Sequence, residues 1–150
     1  MRKKTYTPAQ FQAALKRLGD AGRAKSLANI VESGARVLEG KAKVNIVGTF
    51  KNQSGNLANS FVIDVAASKD RAMAQVGPTA VYGRIQELGG TIRPLVKKRL
   101  HWVDEEGNHH QAESVTLPAR PYLTPAVTQN EDEILNVMNK NFTIEIEAAL

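Results

Sequence analysis

Apolar side chains recur at helical spacing through most of the first third of the chain. Between residues 8 and 47 they fall three or four positions apart, with Arg, Lys and Glu on the other side. This spacing predicts a mostly helical segment with one broad apolar face in the core. Thr7 followed by Pro8 is a typical start, since threonine caps helices and proline suits the first turn. Gly19 and Gly22 are expected to break or bend the helix.

Two shorter segments in the middle of the chain have the composition of paired strands. Residues 61–65 are rich in β-branched side chains, residues 68–71 have the composition of a charged turn, and residues 72–77 follow as a second extended segment. This order predicts an antiparallel hairpin. Residues 80–88 then predict a short helix, which the glycine pair 89–90 ends.

A longer hairpin is expected next. Residues 91–103 and 109–117 are its two predicted strands, and the turn-forming residues 104–108 are its tip. Pro94 lacks an N–H group, so it is compatible with this hairpin only near a sheet edge or at the start of a strand.

Prolines then define an extended strap over residues 118–127. Three of the six prolines of the chain lie there, which excludes both a helix interior and a central strand. Thr124–Pro125 is typical of a cap and first helical position, so the last helix is expected to begin there. Tyr122 has two interpretations, presentation to a neighbouring molecule or burial in its own core. Arg120 likewise either contacts a neighbour or caps carbonyls within its own subunit.

The order of elements predicts an α+β fold in a single domain over residues 1–150. We expect an antiparallel β-sheet of about four strands, with a long N-terminal helix and a C-terminal helix packed on one face, plus a protruding β-hairpin. Residues 1–7 are expected to form a flexible basic arm.

The net charge of +5 conceals a strong asymmetry along the chain. Residues 1–100 carry 18 Lys and Arg against 6 Asp and Glu, a balance of +12, whereas residues 101–150 carry 2 against 9, a balance of −7. If these segments form separate surfaces, they suit head-to-tail self-association or a charged partner. The alternative is that folding brings the two segments together, so that their opposite charges offset each other and the electrostatic field at the surface is weak.

The sequence provides little for catalysis. There is no cysteine, which excludes disulfides and thiolate chemistry. The strongest chemical candidate is a metal site formed by the three histidines, His101, His109 and His110, and the acids near them, which are Asp104, Glu105, Glu106 and Glu113. However, their spacing matches no established ligand motif, and exposed hairpin side chains explain it equally well. Nucleophile elbows and phosphate-binding glycine loops are also missing from the sequence. The sequence therefore predicts no enzyme, no cofactor and no metal.

Nucleic-acid binding is a stronger candidate than catalysis. Two basic clusters are candidates for contacts with DNA phosphates, and they consist of Arg2, Lys3 and Lys4 and of Lys97, Lys98 and Arg99. Aromatic residues make up 5% of the chain, so few side chains are available for base stacking. The clusters therefore predict non-specific backbone contact or an ordinary solvated surface.

Three motifs in order resemble a known family. They are Ser54–Phe61, then Val76–Pro78 with Tyr82 and Glu87–Thr91, then Pro118–Ala126. Together they are similar to the tail-completion, or head–tail joining, proteins of long-tailed bacteriophages. That group includes proteins similar to the lambda minor tail protein Z and to the virion morphogenesis proteins of Mu-like phages. The resemblance covers about residues 25–142.

The resemblance implies a structural protein of the tail or neck of the virion, assembled in the host cytoplasm. Its implied partners are further copies of itself in a ring, tail tube or terminator proteins, and head connector proteins, with packaged DNA as a further contact and no membrane. The side chains expected at such interfaces are Arg120, Tyr122, Trp102, His109 and His110. Another neck or tail-terminator component, a nucleic-acid-binding module and a metal-dependent hydrolase remain as alternatives.

Overall fold

The computed structural model describes residues 5–50, 54–104 and 106–150. Its helices are α1 (Pro8–Thr49), α2 (Asn56–Asn59), α3 (Gly83–Leu88), α4 (Leu123–Thr128) and α5 (Glu131–Ala149). Its strands are β1 (Phe61–Ala67), β2 (Ala72–Pro78), β3 (Gly90–Ile92), β4 (Leu100–Val103), β5 (His109–Ala112) and β6 (Val115–Leu117). The fold class is α+β with a long first helix and a C-terminal helix, as the sequence predicts.

Helix α1 begins at a capping box. The Thr7 hydroxyl accepts a hydrogen bond from the N–H of Gln10, and the Gln10 side chain accepts one from the N–H of Thr7, while Pro8 occupies the first turn. Gly19 interrupts the regular geometry with φ 62° and ψ −176°, a conformation that favours glycine. Gly22 lies within the helical part. Of the two glycines expected to break the helix, only Gly19 does so.

Helix α5 packs along α1, and a glycine lets the two approach closely. A Cβ atom at Gly34 would lie only 2.8 Å from Cγ of Met138. Further along the pair, the carboxylate of Glu145 accepts hydrogen bonds from Ser26 Oγ at 2.6 Å and from Asn29 Nδ2 at 2.7 Å. These two bonds lower the pKa of Glu145, against the opposing effect of burial.

The hairpin of β1 and β2 also packs on α1. The strands are antiparallel in a register that places Phe61 opposite Pro78 and Ala67 opposite Ala72. On β1 the side chains alternate, with Phe61 buried and Val62 and Asp64 exposed, as expected for a sheet with one face on the core.

The main core lies where the second half of α1 meets the chain segments around it. Its largest fully buried side chains are Tyr122 and Ile46. The buried cluster as a whole consists of Ala42, Ile46, Leu57, Phe61, Tyr122 and Ala126. The ring of Tyr122 meets those of Phe50 and Phe61 edge-on, with centroids 6.4 and 6.2 Å away.

The second hairpin, residues 90–117, projects from this body, and we call it the long hairpin. β3 pairs with β6 at its base, and β4 pairs with β5 towards its tip. These strands make few contacts with the helices or with β1 and β2. The prediction of one long hairpin is correct, but its pairing is interrupted, because seven residues (93–99) on one side face two (113–114) on the other. Pro94 lies in this interruption and so occupies no ladder position.

The predicted sheet of about four strands is wrong in its arrangement. The described residues form three separate two-stranded sheets, β1–β2, β3–β6 and β4–β5. The β1–β2 pair packs on α1, whereas the strands of the long hairpin make few contacts with β1 and β2, so the two hairpins do not join edge to edge.

Several boundaries also differ from the predictions. The strap is extended only over residues 118–122, because α4 begins at Leu123, and the name strap is kept for residues 118–122 from here on. The last helix is divided into α4 and α5 by a break at residues 129–130, and the N-cap position of α4 is Tyr122 rather than Thr124. Tyr6 and Thr7 are held in place, because Thr7 caps α1 and the Tyr6 hydroxyl donates to Glu147 at 3.0 Å. Residues 1–4 of the predicted arm lie outside the described residues.

Candidate interaction surfaces

The strap is held to α3 by one carboxylate. Glu87 accepts hydrogen bonds from the backbone N–H groups of Tyr122 (2.7 Å), Leu123 (2.8 Å) and Thr124 (2.9 Å), and from the Thr124 hydroxyl at 2.7 Å. These donors are the unpaired groups at the start of α4, so a side chain from another helix caps it. Burial raises the pKa of Glu87, but the bonds from Leu123, Tyr122 and Thr124 outweigh burial and lower it overall.

Tyr122 anchors the strap from inside the core. It is 1% exposed, and its hydroxyl donates to the carbonyl of Gly83 at 3.0 Å. Its own carbonyl accepts a hydrogen bond from Asn45 at 2.9 Å. Burial, followed by the nearby charge of Glu87, raises the pKa of Tyr122 to about 12. Tyr122 is therefore a core side chain, and the expectation that it is presented to a neighbour is wrong for this subunit.

Two glycines make room for the strap. A Cβ atom at Gly83 would lie 2.7 Å from Cγ of Pro78 and 3.2 Å from the Tyr122 hydroxyl. Gly89 has φ +69°, and a Cβ there would lie 2.7 Å from the backbone nitrogen of Ala119. Both positions therefore require glycine because of close backbone or ring contacts.

Arg120 lies on the exposed side of the strap. Its N–H donates to the carbonyl of Gln86 at 2.8 Å, which fixes its backbone. Its guanidinium lies over the ring of Phe50, 6.0 Å from the ring centroid. Arg120 is exposed, and these two contacts hold it in place. It therefore stays a candidate for contact with a partner.

The tip of the long hairpin is organised around Asp104. Its carboxylate accepts from the N–H groups of Glu106 (3.0 Å) and Asn108 (2.8 Å) and lies 2.7 Å from Nε2 of His110. The contact with His110, followed by those with Asn108, lowers the pKa of Asp104 to about 2. His110 in turn stacks on Trp102, with ring centroids 5.3 Å apart and an angle of 18° between the planes.

The strand register separates the histidines. His110 lies opposite Trp102, whereas His109 lies opposite Val103 and His101 opposite Gln111. Since side chains alternate between faces, His101 and His109 lie on one face and His110 on the other. No group of three or more potential metal ligands occurs among the described residues.

A basic loop projects from the side of the long hairpin, and we use this name for residues 93–99. It includes two aliphatic side chains in full contact with solvent, Leu95 at 101% and Val96 at 96% exposure. Its four cations are all exposed and form no ion pair within the described part of the chain, and they are Arg93, Lys97, Lys98 and Arg99.

The predicted site residues therefore occupy different places. Trp102 is 41% exposed at the hairpin tip, near the exposed His109 and His110. The basic loop, with Lys97, Lys98 and Arg99, lies nearer the hairpin base. Arg2, Lys3 and Lys4, the other predicted phosphate contacts, lie outside the described residues.

Comparison with known families gives a match that spans most of these features. The model of the phage virion morphogenesis family matches residues 32–143. This stretch includes the β1–β2 hairpin, α3, the long hairpin, the strap and most of α5. The chain belongs to the phage virion morphogenesis family. No curated protein and no solved structure matches the chain significantly.

Family membership establishes the coarse role. As a member of the phage virion morphogenesis family, the protein is a bacteriophage structural or morphogenesis protein associated with the virion. The described helices include none that is both long and apolar enough to cross a bilayer.

Sequence reasoning missed two features of this family member. The first feature is the capping role of Glu87, which the sequence shows only as part of the Glu87–Thr91 motif. The sequence does not predict this role, because the groups that Glu87 caps lie 35 to 37 positions further along the chain. The second feature is the exposed loop around Leu95 and Val96, which the sequence pattern predicts to be part of a strand. The sequence does contain a signal for this loop. Leu95 and Val96 lie between Pro94 and three consecutive basic residues, which fits an exposed loop better than a paired strand.

Proposed function

We propose that the protein is a structural component of the head–tail junction. It completes the head-proximal end of the tail, in the neck of the virion, and allows the tail to join the head through contacts between oligomeric proteins. Its partners are further copies of itself, tail tube or terminator proteins and head connector proteins. The mechanism is surface complementarity and ordered assembly, without catalysis.

The observation that carries this proposal is the long hairpin. It makes few contacts with the rest of the subunit, yet exposes apolar side chains along its length, including Ile92, Leu95, Val96, Trp102 and Val103. A two-stranded hairpin is only marginally stable alone, and exposed apolar clusters typically mark protein interfaces. Within a virion morphogenesis family, these features favour docking onto other virion proteins.

The proposal gains specificity from the motif order described above. The strap motif that resembles tail-completion proteins fixes the base of the long hairpin, because Pro118 follows β6 directly and Gly89 precedes β3 in contact with Ala119. The motifs thus surround the proposed docking element. Another neck or tail-terminator position would use the same surface with different neighbours.

Deletion of the gene from a phage that carries it tests the joining role. Electron microscopy of the lysate should show DNA-filled heads beside separate, unjoined tails. Supplying the full chain from a plasmid should restore complete virions, as the control for effects on neighbouring genes. Intact virions in the deletion lysate would contradict the proposal.

DNA binding is the second candidate, and the unpaired cations of the basic loop favour it. If the loop binds phosphates, affinity for double-stranded DNA will fall steeply with salt. Reversing the charge of Lys97 and Lys98 should then reduce both the affinity and its salt dependence. Affinity that does not change in these variants would exclude this role for the loop.

A further inference from the structure

We infer that the basic loop of one copy binds a specific corner of a second copy of this chain. The corner consists of Val127, Glu131, Asp132 and Leu135, at the junction of α4 and α5, and we call it the acidic corner. This inference rests on the proposed function, since it specifies which surfaces of the oligomeric protein meet.

The composition of the basic loop favours a protein partner over DNA. Lys97, Lys98 and Arg99 suit either phosphates or carboxylates, but Leu95 and Val96 gain nothing from a phosphate backbone. Their almost complete exposure means that contact with an apolar surface would remove both side chains from water, which is favourable. The loop therefore suits a partner that offers apolar contact beside negative charge.

The acidic corner offers that combination. Leu135 is 49% exposed on α5 and Val127 is exposed on α4. Glu131 precedes Leu135 by four positions and Asp132 precedes it by three, so both acids lie on the same helix face as Leu135. The carbonyl of Val127 accepts from the N–H of Asn130 at 3.2 Å, which keeps Val127 close to this first turn.

The two acids of the corner are free to pair with another chain. The third acid of that turn, Glu133, already pairs with Lys41 at 2.6 Å. Glu131 and Asp132 are exposed and have no ion-pair partner within the described residues. The corner therefore presents two unpaired carboxylates and two aliphatic side chains to a loop with four unpaired cations and two aliphatic side chains.

The partner is a second copy because each subunit carries both surfaces, the basic loop and the acidic corner. Both are exposed, and their charges have no ion-pair partner within the described residues of the same subunit. Along the chain they lie on opposite sides of the strap, which joins β6 to α4 in residues 118–122. A contact between different surfaces of identical copies is head-to-tail, and it closes into a ring when the rotation allows.

Cysteine cross-linking tests this contact cleanly, because the chain has no cysteine of its own. The double variant Leu95→Cys with Leu135→Cys should give a ladder of dimers and higher multimers with a short bismaleimide. An equal mixture of the two single variants should stop at dimers, and each single variant alone should give none. The matched control is Leu95→Cys with Ile144→Cys, since Ile144 is an exposed aliphatic further along α5, and it should give no ladder.

Charge reversal on the same background separates specific pairing from general attraction. Lys97→Glu with Lys98→Glu should abolish the ladder, as should Glu131→Lys with Asp132→Lys, and all four changes together should restore it. As a control, Lys16→Glu with Arg84→Glu, two exposed cations elsewhere, should leave the ladder unchanged. Cross-linking is measured on the full chain, both purified and in phage lysates.

Several outcomes would overturn the inference. These are no ladder in either preparation, an equal ladder from the Ile144→Cys control, cross-linking of Leu95→Cys alone, or a ladder that the fourfold charge reversal does not restore. The proposed function fails separately, through joined virions in the deletion lysate. A ladder together with joined virions in the deletion lysate would support the contact between copies and contradict the head–tail role. Unjoined tails without a ladder would support the head–tail role and contradict the contact.

Discussion

At the scale of single residues, the strap depends on a carboxylate from another element. Glu87 caps α4 with four hydrogen bonds, and Tyr122 fills the core beneath it. The local sequence of the strap supplies extended geometry through its prolines, but not the acceptor for its free N–H groups. That acceptor comes from α3, so α3 and the strap are positioned together.

Replacing Glu87 by Gln should destabilise the fold. The amide retains only one acceptor oxygen and directs an NH₂ group at backbone donors, so most of the cap is lost. We expect the free energy of unfolding to fall by roughly 1–3 kcal/mol. Urea denaturation measures this, with Glu113→Gln, an exposed acid, as the control. Equal stability of the two variants would show that Glu87 does not hold the strap.

The same carboxylate predicts a dependence of stability on pH. Because the folded protein lowers the pKa of Glu87, its contribution is complete above the ordinary value of 4.5 and is lost as the pH falls through the lowered pKa. Glu145 and Asp104 have lowered pKa values too, so wild type alone does not isolate the effect. The stability difference between wild type and Glu87→Gln should shrink as acid is added. A constant difference across that range would contradict the assignment.

Gly83 should tolerate no side chain. Alanine there gains helix propensity, but its Cβ would lie 2.7 Å from the rigid ring of Pro78. The overlap should prevail and cost about 1–3 kcal/mol. Gly40→Ala is the matched control, because a Cβ at Gly40 meets nothing within 4 Å, and it should stabilise α1 by up to about 1 kcal/mol. Thermal unfolding of both variants checks the opposite signs.

At the scale of elements, the long hairpin should be separable from the fold. Replacing residues 93–114 by Asn-Gly would connect Ile92 directly to Val115, which are cross-strand partners, through a two-residue turn suited to a hairpin. Since β4 and β5 make few contacts beyond each other, the melting temperature should change little. Circular dichroism and thermal melts test this. A large loss of stability would show that the tip belongs to the core.

Elements were predictable where a local pattern determines them. The 3.6-residue period gave α1, and β-branched runs and turns gave β1, β2 and the long hairpin. The four-stranded sheet failed because pairing between hairpins is long-range and leaves no local pattern. The sequence pattern also does not predict the break between α4 and α5. In the structure, the side-chain amide of Asn130 donates a hydrogen bond to the carbonyl of Ala126 at 3.0 Å, near the end of α4. Of the candidate site residues, Tyr122 is buried and not at an interface. The prolines of the strap restrict its backbone to an extended conformation, but they do not determine which of its side chains point into the core.

At the scale of the whole molecule, folding partly neutralises the charge asymmetry of the sequence. The acidic helix α5 packs on the basic helix α1, with Lys41 paired to Glu133 and Glu145 bonded to Ser26 and Asn29. The basic loop and the acidic corner keep exposed charges that have no ion-pair partner within the described residues. These charges are therefore available for a contact with another copy.

We propose that this protein joins tails to heads through its long hairpin. The most direct measurement is the infectious titre after purified protein is added to the lysate of a deletion phage. The full chain should restore the titre, and the chain with residues 93–114 replaced by Asn-Gly should not. Equal restoration by both chains, or no restoration by the full chain from a lysate that contains heads and tails, would contradict it.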